Sequence, residues 1–240
     1  MNATTPLLLL AAAASLALGA VPAPAERDFQ VGAVEAGSAA PQRFAVGTIV
    51  GRVEIGAPAG RRAVDRYQGR GAPRSAHPIQ SVPAVVFLEG PVPGAARESA
   101  VTRTLLQQDT TFVPAAVAIP VGGTVEFPNG DPFFHNVFSY SDVKRFDLGR
   151  YPEGESKSVV FDRAGIVQVF CEVHEHMRGA IVVTENPYHA VVGEDGTFQI
   201  PDIPAGRHTL VVWHQEAGRR TVTVNVTDGG TVEIPTVTLP

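Results

Sequence analysis

Cysteine is almost absent from this sequence: Cys171 is the one thiol in 240 residues, so no intrachain disulfide can staple the fold. Trp213 is the one tryptophan, and Met177 is the one methionine besides the initiator. Positive charge is short as well. Nineteen Lys and Arg stand against 24 Asp and Glu, a net charge of −5, which argues against the clustered basic surface that a nucleic-acid groove requires. No segment after the first 25 residues approaches 18 uncharged apolar residues, so the mature chain is expected to carry no transmembrane span. What is plentiful is Gly (24) and Pro (20), without a collagen-like period, which predicts many turns between short strands. The length suits one or two compact domains of about 100 residues each.

The N-terminus reads as an address. Residues 5–21 are uncharged and apolar, and small residues at Ala23 and Ala25 precede Glu26. This pattern predicts a secretory signal peptide over 1–25, with Ala20 as a second cleavage position, and hence a periplasmic or otherwise secreted protein. The leader has no Lys or Arg before its apolar stretch, and a retained anchor is the alternative reading.

Beyond the leader the texture is strand-like throughout. Gly47–Ile55 alternates, Pro83–Leu88 is a second strand, and residues 57–82 between them carry five Arg against one Asp in a long aperiodic loop. A basic patch for an anionic partner is one use of such a loop. Strands are expected at Thr102–Leu106, Phe112–Ile119, Thr124–Phe127, Phe133–Tyr140, Ser156–Phe161, Ile166–Cys171 and Ala180–Thr184. About four more follow in the tail, too few to bury a sandwich core by themselves. No amphipathic helix of three turns is present, so the fold class is all-β.

One segment concentrates chemistry. Cys171, His174 and Met177 recur at intervals of three, and His135 lies 36 residues upstream on another expected strand. A thiolate, an imidazole and a thioether from one loop, joined by a second imidazole, make a two-His, one-Cys set with weak axial sulfur. Such a set selects one copper ion and supports electron transfer. Zinc held by the same Cys and His residues is a rival, although Met177 would serve it poorly. His176 alternates away from His174 and is expected to be an exposed loop residue. His77, His189 and His208 have no ligand spacing around them, and His214 is expected to be packed beside Trp213.

These residues carry a resemblance. Val121-Gly122-Gly123-Thr124-Val125-Glu126-Phe127, Asn129 with Asp131, His135-Asn136-Val137-Phe138-Ser139, Phe146-Asp147-Leu148-Gly149 and Cys171-Glu172-Val173-His174 with Met177 resemble the cupredoxins of the plastocyanin and amicyanin type, including the methylamine-utilisation-like periplasmic proteins. The resemblance implies a Greek-key sandwich over 100–184, with His135, Cys171 and His174 as equatorial copper ligands and Met177 as axial ligand. It implies a supporting role for Asn136, whose hydrogen bonds would tie the ligand loops together. Glu175 stands where the family usually has proline, which puts the apolar docking patch of the small carriers in question. Gly193–Phe198, Ile203–Gly206 and Leu210–His214 resemble a carboxypeptidase-regulatory or prealbumin-like sandwich. Its missing first strands match Gly47–Ile55 and Val85–Leu88, so the economical arrangement is a discontinuous domain, 44–93 plus 187–238, with the cupredoxin inserted. A simple tandem is the alternative.

The function expected is one-electron transfer between redox proteins, with no small-molecule substrate and no nucleic acid. No paired carboxylates, nucleophile triad or phosphate loop suggests an enzyme. Copper binding or storage, or a surface-interaction module, is the competing reading.

Overall fold

The computed structural model describes residues 45–56, 79–95 and 101–240. The expected leader and nearly all of the Arg-rich loop, with His77, lie outside the described residues. Among the described residues there are eighteen strands and no helix, in keeping with the all-β expectation. No helix there is long and apolar enough to cross a membrane.

The middle of the chain forms one pair of sheets. Strands β3 (Thr102–Thr104), β7 (Thr124–Pro128) and β10 (Ser156–Val160) make the first, in the order β10-β7-β3. The second has the order β6-β12-β11-β8-β9, from β6 (Ala116–Pro120), β8 (His135–Ser139), β9 (Phe146–Tyr151), β11 (Gly165–Phe170) and β12 (Arg178–Thr184). Phe112, Phe127, Phe161, Val137, Val167, Ile181 and Met177 fill the space between them. A short hairpin of β4 (Leu106–Gln108) and β5 (Thr111–Val113) closes one end.

Two expected strands are corrected here. Thr102–Leu106 divides at Leu105, whose fully buried side chain turns into the core between β3 and β4. Phe112–Ile119 divides at Pro114-Ala115: β5 pairs antiparallel with β4, whereas β6 runs parallel to β12. Pro114 has no N–H to donate to a continuing ladder, so the chain changes sheets there. Strand β9 was absent from the expected series because Asp147, Gly149 and Arg150 break its apolar alternation.

The flanking segments make a second pair of sheets. Strand β1 (Val46–Ile55) pairs with β14 (Thr197–Pro204), β17 (Thr231–Glu233) and β18 (Val237–Leu239). Strand β2 (Val85–Leu88) lies between β13 (His189–Val191) and β15 (Gly206–His214), with β16 (Gly218–Val226) beyond. The tail therefore supplies six strands rather than about four, and it takes partners from before residue 93. Ile49, Val86, Leu88, Phe198, Ile200, Leu210, Val212 and Val226 form their shared core. Gly51 must lack a side chain because a Cβ there would sit 2.5 Å from Ile234 Cγ1 and 2.9 Å from the Phe198 ring.

Period-two geometry explains how the two pairs meet. On β6, Val117 and Ile119 face the middle core, while Ala116 and Ala118 face the other way with Ala180 and Val182 of β12. Those small residues admit Val85 of β2 and Trp213 of β15, with Val82. Sheets covered on both faces produce uninterrupted apolar runs, which is why β6 is buried at every position.

Candidate metal centre

Sheet register brings the ligands to one end of the middle sandwich. Phe170 of β11 lies opposite Phe138 of β8, and the next residue, Cys171, leaves the strand near His135 at the start of β8. Residues 171–177 form turns, and the Met177 amide donates to the His174 carbonyl at 3.0 Å. Alternation does not govern a turn, and this corrects the reading of His176: it is buried, and its Nε2 is 3.0 Å from Thr110 Oγ1.

Three donor atoms converge. Cys171 Sγ is 3.6 Å from His135 Nδ1 and 3.8 Å from His174 Nδ1, and the two Nδ1 atoms are 3.1 Å apart. A circle through three atoms so spaced has a radius of about 2 Å, close to the metal–nitrogen bonds of about 2.0–2.1 Å and slightly under the metal–thiolate bond of about 2.3 Å seen for zinc. The donor set thus fits a single first-row ion, and it mixes one soft thiolate with two imidazoles, the combination that suits copper. Among the described residues this is the one cluster of His, Cys and acidic side chains able to hold a metal. Met177 is fully buried beside it, in the same core cluster as Cys171. His189, His208 and His214 belong to the other pair of sheets; His208 Nε2 lies 2.7 Å from the Pro204 carbonyl, and His214 Nδ1 accepts the Ala217 amide.

Electrostatics favours the metal-binding thiolate at Cys171 and the protonated ring at His135. Burial alone would raise the Cys171 thiol, but hydrogen bonds from His135 and from the backbone of Asn136, His174 and Val173 bring it below its ordinary value, favouring the thiolate that binds metals. Burial would likewise lower His135, and its hydrogen bonds to Cys171 and Asp131 more than offset this.

The supporting shell is extensive. Asp131 Oδ2 sits 2.8 Å from His135 Nε2, which fixes the ring so that Nδ1 faces Cys171. Burial would raise the Asp131 carboxyl, yet the Thr110 amide, the His135 ring and the Asp109 amide together hold it below the usual range. Asp109 and Thr110 are the two turn residues of the β4–β5 hairpin, at φ 52° and 57°. A β-branched Thr rarely adopts that conformation. Its amide serves Asp131 and its hydroxyl serves His176, so one strained residue ties the His135 side of the site to the Met177 side. Asn136 accepts the Glu172 amide at 2.6 Å and donates to Asp147 at 3.1 Å, linking β8, β9 and the cysteine turn. Below them Gln107 donates to the buried Tyr151 hydroxyl, which donates to the Phe127 carbonyl.

The opposite side opens to solvent. His174 is half-buried, and the Phe133 ring lies 5.5 Å from it and 5.2 Å from His135. Phe133, Phe134 and Val173 are all exposed, so an apolar rim exists despite Glu175.

Sequence reasoning did not assign roles to Asp131, Thr110, Gln107 or Tyr151. A carboxylate four residues before a candidate ligand histidine was the one visible signal among them.

Residues 100–184 match the plastocyanin/azurin family of copper binding proteins. The middle of the chain is therefore a cupredoxin-like copper-binding section. Among solved structures, the chain is similar to a copper-containing nitrite reductase from Thermus scotoductus at 29% identity and a TM-score of 0.34, over 40% of this chain and 25% of that one. It is similar to amicyanin from Paracoccus versutus at 22% identity and a TM-score of 0.32, covering 41% of this chain and 96% of that one. A purple cupredoxin from Nitrosopumilus maritimus is 20% identical at a TM-score of 0.30, over 44% of this chain and all of that one. This chain thus spans only about a quarter of the nitrite reductase chain. No curated protein matches it. The family match ends at residue 184 and gives no support to a prealbumin-like assignment of the flanking strands.

Proposed function

We propose that this protein is a type 1 copper protein that carries single electrons between redox proteins and makes or breaks no substrate bond. The observation that carries the reading is the triangle of Cys171 Sγ and the two Nδ1 atoms of His135 and His174, buried on one side and reaching solvent on the other. Bound copper supplies a one-electron Cu(II)/Cu(I) couple. His135, Cys171 and His174 would hold the copper, with the buried Met177 thioether as a weaker fourth donor. Asp131 holds the His135 ring, while Asn136 and Thr110 tie down the turn that carries Cys171, His174 and Met177, so oxidation and reduction would demand little rearrangement. The His174 side, rimmed by Phe133, is where electrons enter and leave.

The leader pattern supports a periplasmic or otherwise secreted protein, whose partners in this reading are other redox proteins. Strands β1, β2 and β13–β18 form one discontinuous, prealbumin-like domain into which the copper section is inserted; the shared core of Ile49, Leu88 and Leu210 supports this reading.

The test is a reductive titration. Copper-loaded protein should lose its visible thiolate-to-copper absorption after one electron equivalent per chain and regain it on reoxidation. Tight copper binding without a reversible one-electron step would favour storage instead.

A further inference from the structure

The turn bearing Met177 is gripped from outside the copper-binding section. Gln80, in the lead-in to β2, donates its backbone N–H to the His176 carbonyl at 2.9 Å. Its side-chain Oε1 accepts the Arg178 amide at 3.3 Å and the Phe112 amide at 2.9 Å, while Nε2 donates to the Phe112 carbonyl at 2.6 Å. One residue thus bonds to the backbone on both sides of Met177 and fastens it to the free edge of β5. The amide stands in for a strand there, satisfying both polar groups of Phe112. Two residues on, Val82 is buried with Ala116, Ala180 and Trp213, so the grip is anchored where the two pairs of sheets meet.

We infer that Gln80 is a positioning residue for Met177, through which the flanking sheets help to set the copper site. The inference rests on the proposed role of Met177 as axial ligand. In a blue-copper site the axial sulfur tunes the metal's electronic structure and potential. Freeing one end of its turn should therefore be visible at the metal. Gln80→Leu keeps the backbone bond to His176 and removes the three side-chain bonds; Gln80→Glu retains the acceptor for Arg178 and Phe112.

Two readouts in full-length protein test this. In metal-free Gln80→Leu, the Arg178 and Phe112 amides should exchange with solvent faster than in wild type, with Gln80→Glu between them. After Cu(II) loading, Gln80→Leu should show altered relative intensities of the thiolate-to-copper bands and about three- to tenfold faster copper release, commensurate with losing a neutral hydrogen bond. Gln80→Glu, which keeps the acceptor but sets a carboxylate oxygen against the Phe112 carbonyl, should lie between wild type and Gln80→Leu in both. Faster amide exchange with an unchanged spectrum and release rate would overturn the inference, leaving Gln80 a structural residue only. A wild-type protein without any thiolate band would overturn the copper reading itself, and a Met177→Leu variant with the wild-type spectrum would remove the axial role that both share.

Discussion

The two pairs of sheets bury side chains to opposite ends. Of the ten buried polar residues among the described residues, seven lie between Gln107 and His176, while the flanking sheets enclose a core of aliphatic and aromatic groups. Buried polar groups cost stability unless every one finds a partner. Around the site most do so in chains, Asp131 to His135, Thr110 to Asp131 and His176, Asn136 to Glu172 and Asp147, while Gln107 Oε1 is buried without a partner. The lesson is a division of labour within similar sandwiches. The flanking core contributes ordinary apolar burial, and the middle section devotes much of its interior to orienting three donor atoms.

That contrast can be broken by making each region fail separately. The largest effect comes from Leu210→Ala, which opens a cavity in the flanking core and should destabilise the chain by about 2–5 kcal/mol. Denaturant unfolding measures it, and the visible spectrum of the surviving folded protein should stay that of wild type. Asp131→Asn is the reciprocal case: it removes a negative charge beside His135 while keeping an acceptor. Copper affinity should fall about 10- to 100-fold, and the reduction potential should rise because the carboxylate favours the more highly charged Cu(II). Competition with a chelator and voltammetry read the two effects, and an unchanged potential would show that Asp131 only positions the ring.

A smaller effect separates the regions by pH. Burial is the chief cause that holds His214 below its ordinary pKa, against Glu216 and a backbone bond to Val82 that act the other way. The folded state therefore favours the neutral ring and the unfolded chain binds the proton more readily. Stability from this group is present above about pH 6.5 and is lost as the pH falls through that value toward the folded pKa. Thermal melts should show a decline as the pH falls below about 6.5 that is shallower in His214→Asn, whose Oδ1 can still accept the Ala217 amide. The smallest effect expected is at the exposed Arg219–Glu89 pair, 2.8 Å apart, where Glu89→Ala should cost under about 1 kcal/mol.

The candidate ligand residues were legible because their chemistry is unusual wherever it occurs. A lone Cys followed at three-residue steps by His and Met stands out without any knowledge of the fold. Most strands were legible from alternation, β9 excepted, because Asp147, Gly149 and Arg150 interrupt it. What escaped depends on register between distant segments. Nothing local in Gln80 says that it will reach Phe112 and Arg178, and Gln107 meets Tyr151 only after β4 and β9 have found their sheets. The β4–β5 hairpin was hidden because Asp109-Thr110 occupies a turn that ordinarily takes Asn-Gly. His176 was misread because a strand rule was applied to a turn.

The central claim is that Cys171 and the two histidines bind copper through the thiolate, and visible absorption after stoichiometric Cu(II) addition tests it most directly. Wild-type protein should develop an intense thiolate-to-copper band in the orange-red that vanishes on reduction and never forms in Cys171→Ser. Tight Cu(II) binding with no such band, or a band that survives in Cys171→Ser, would contradict the account.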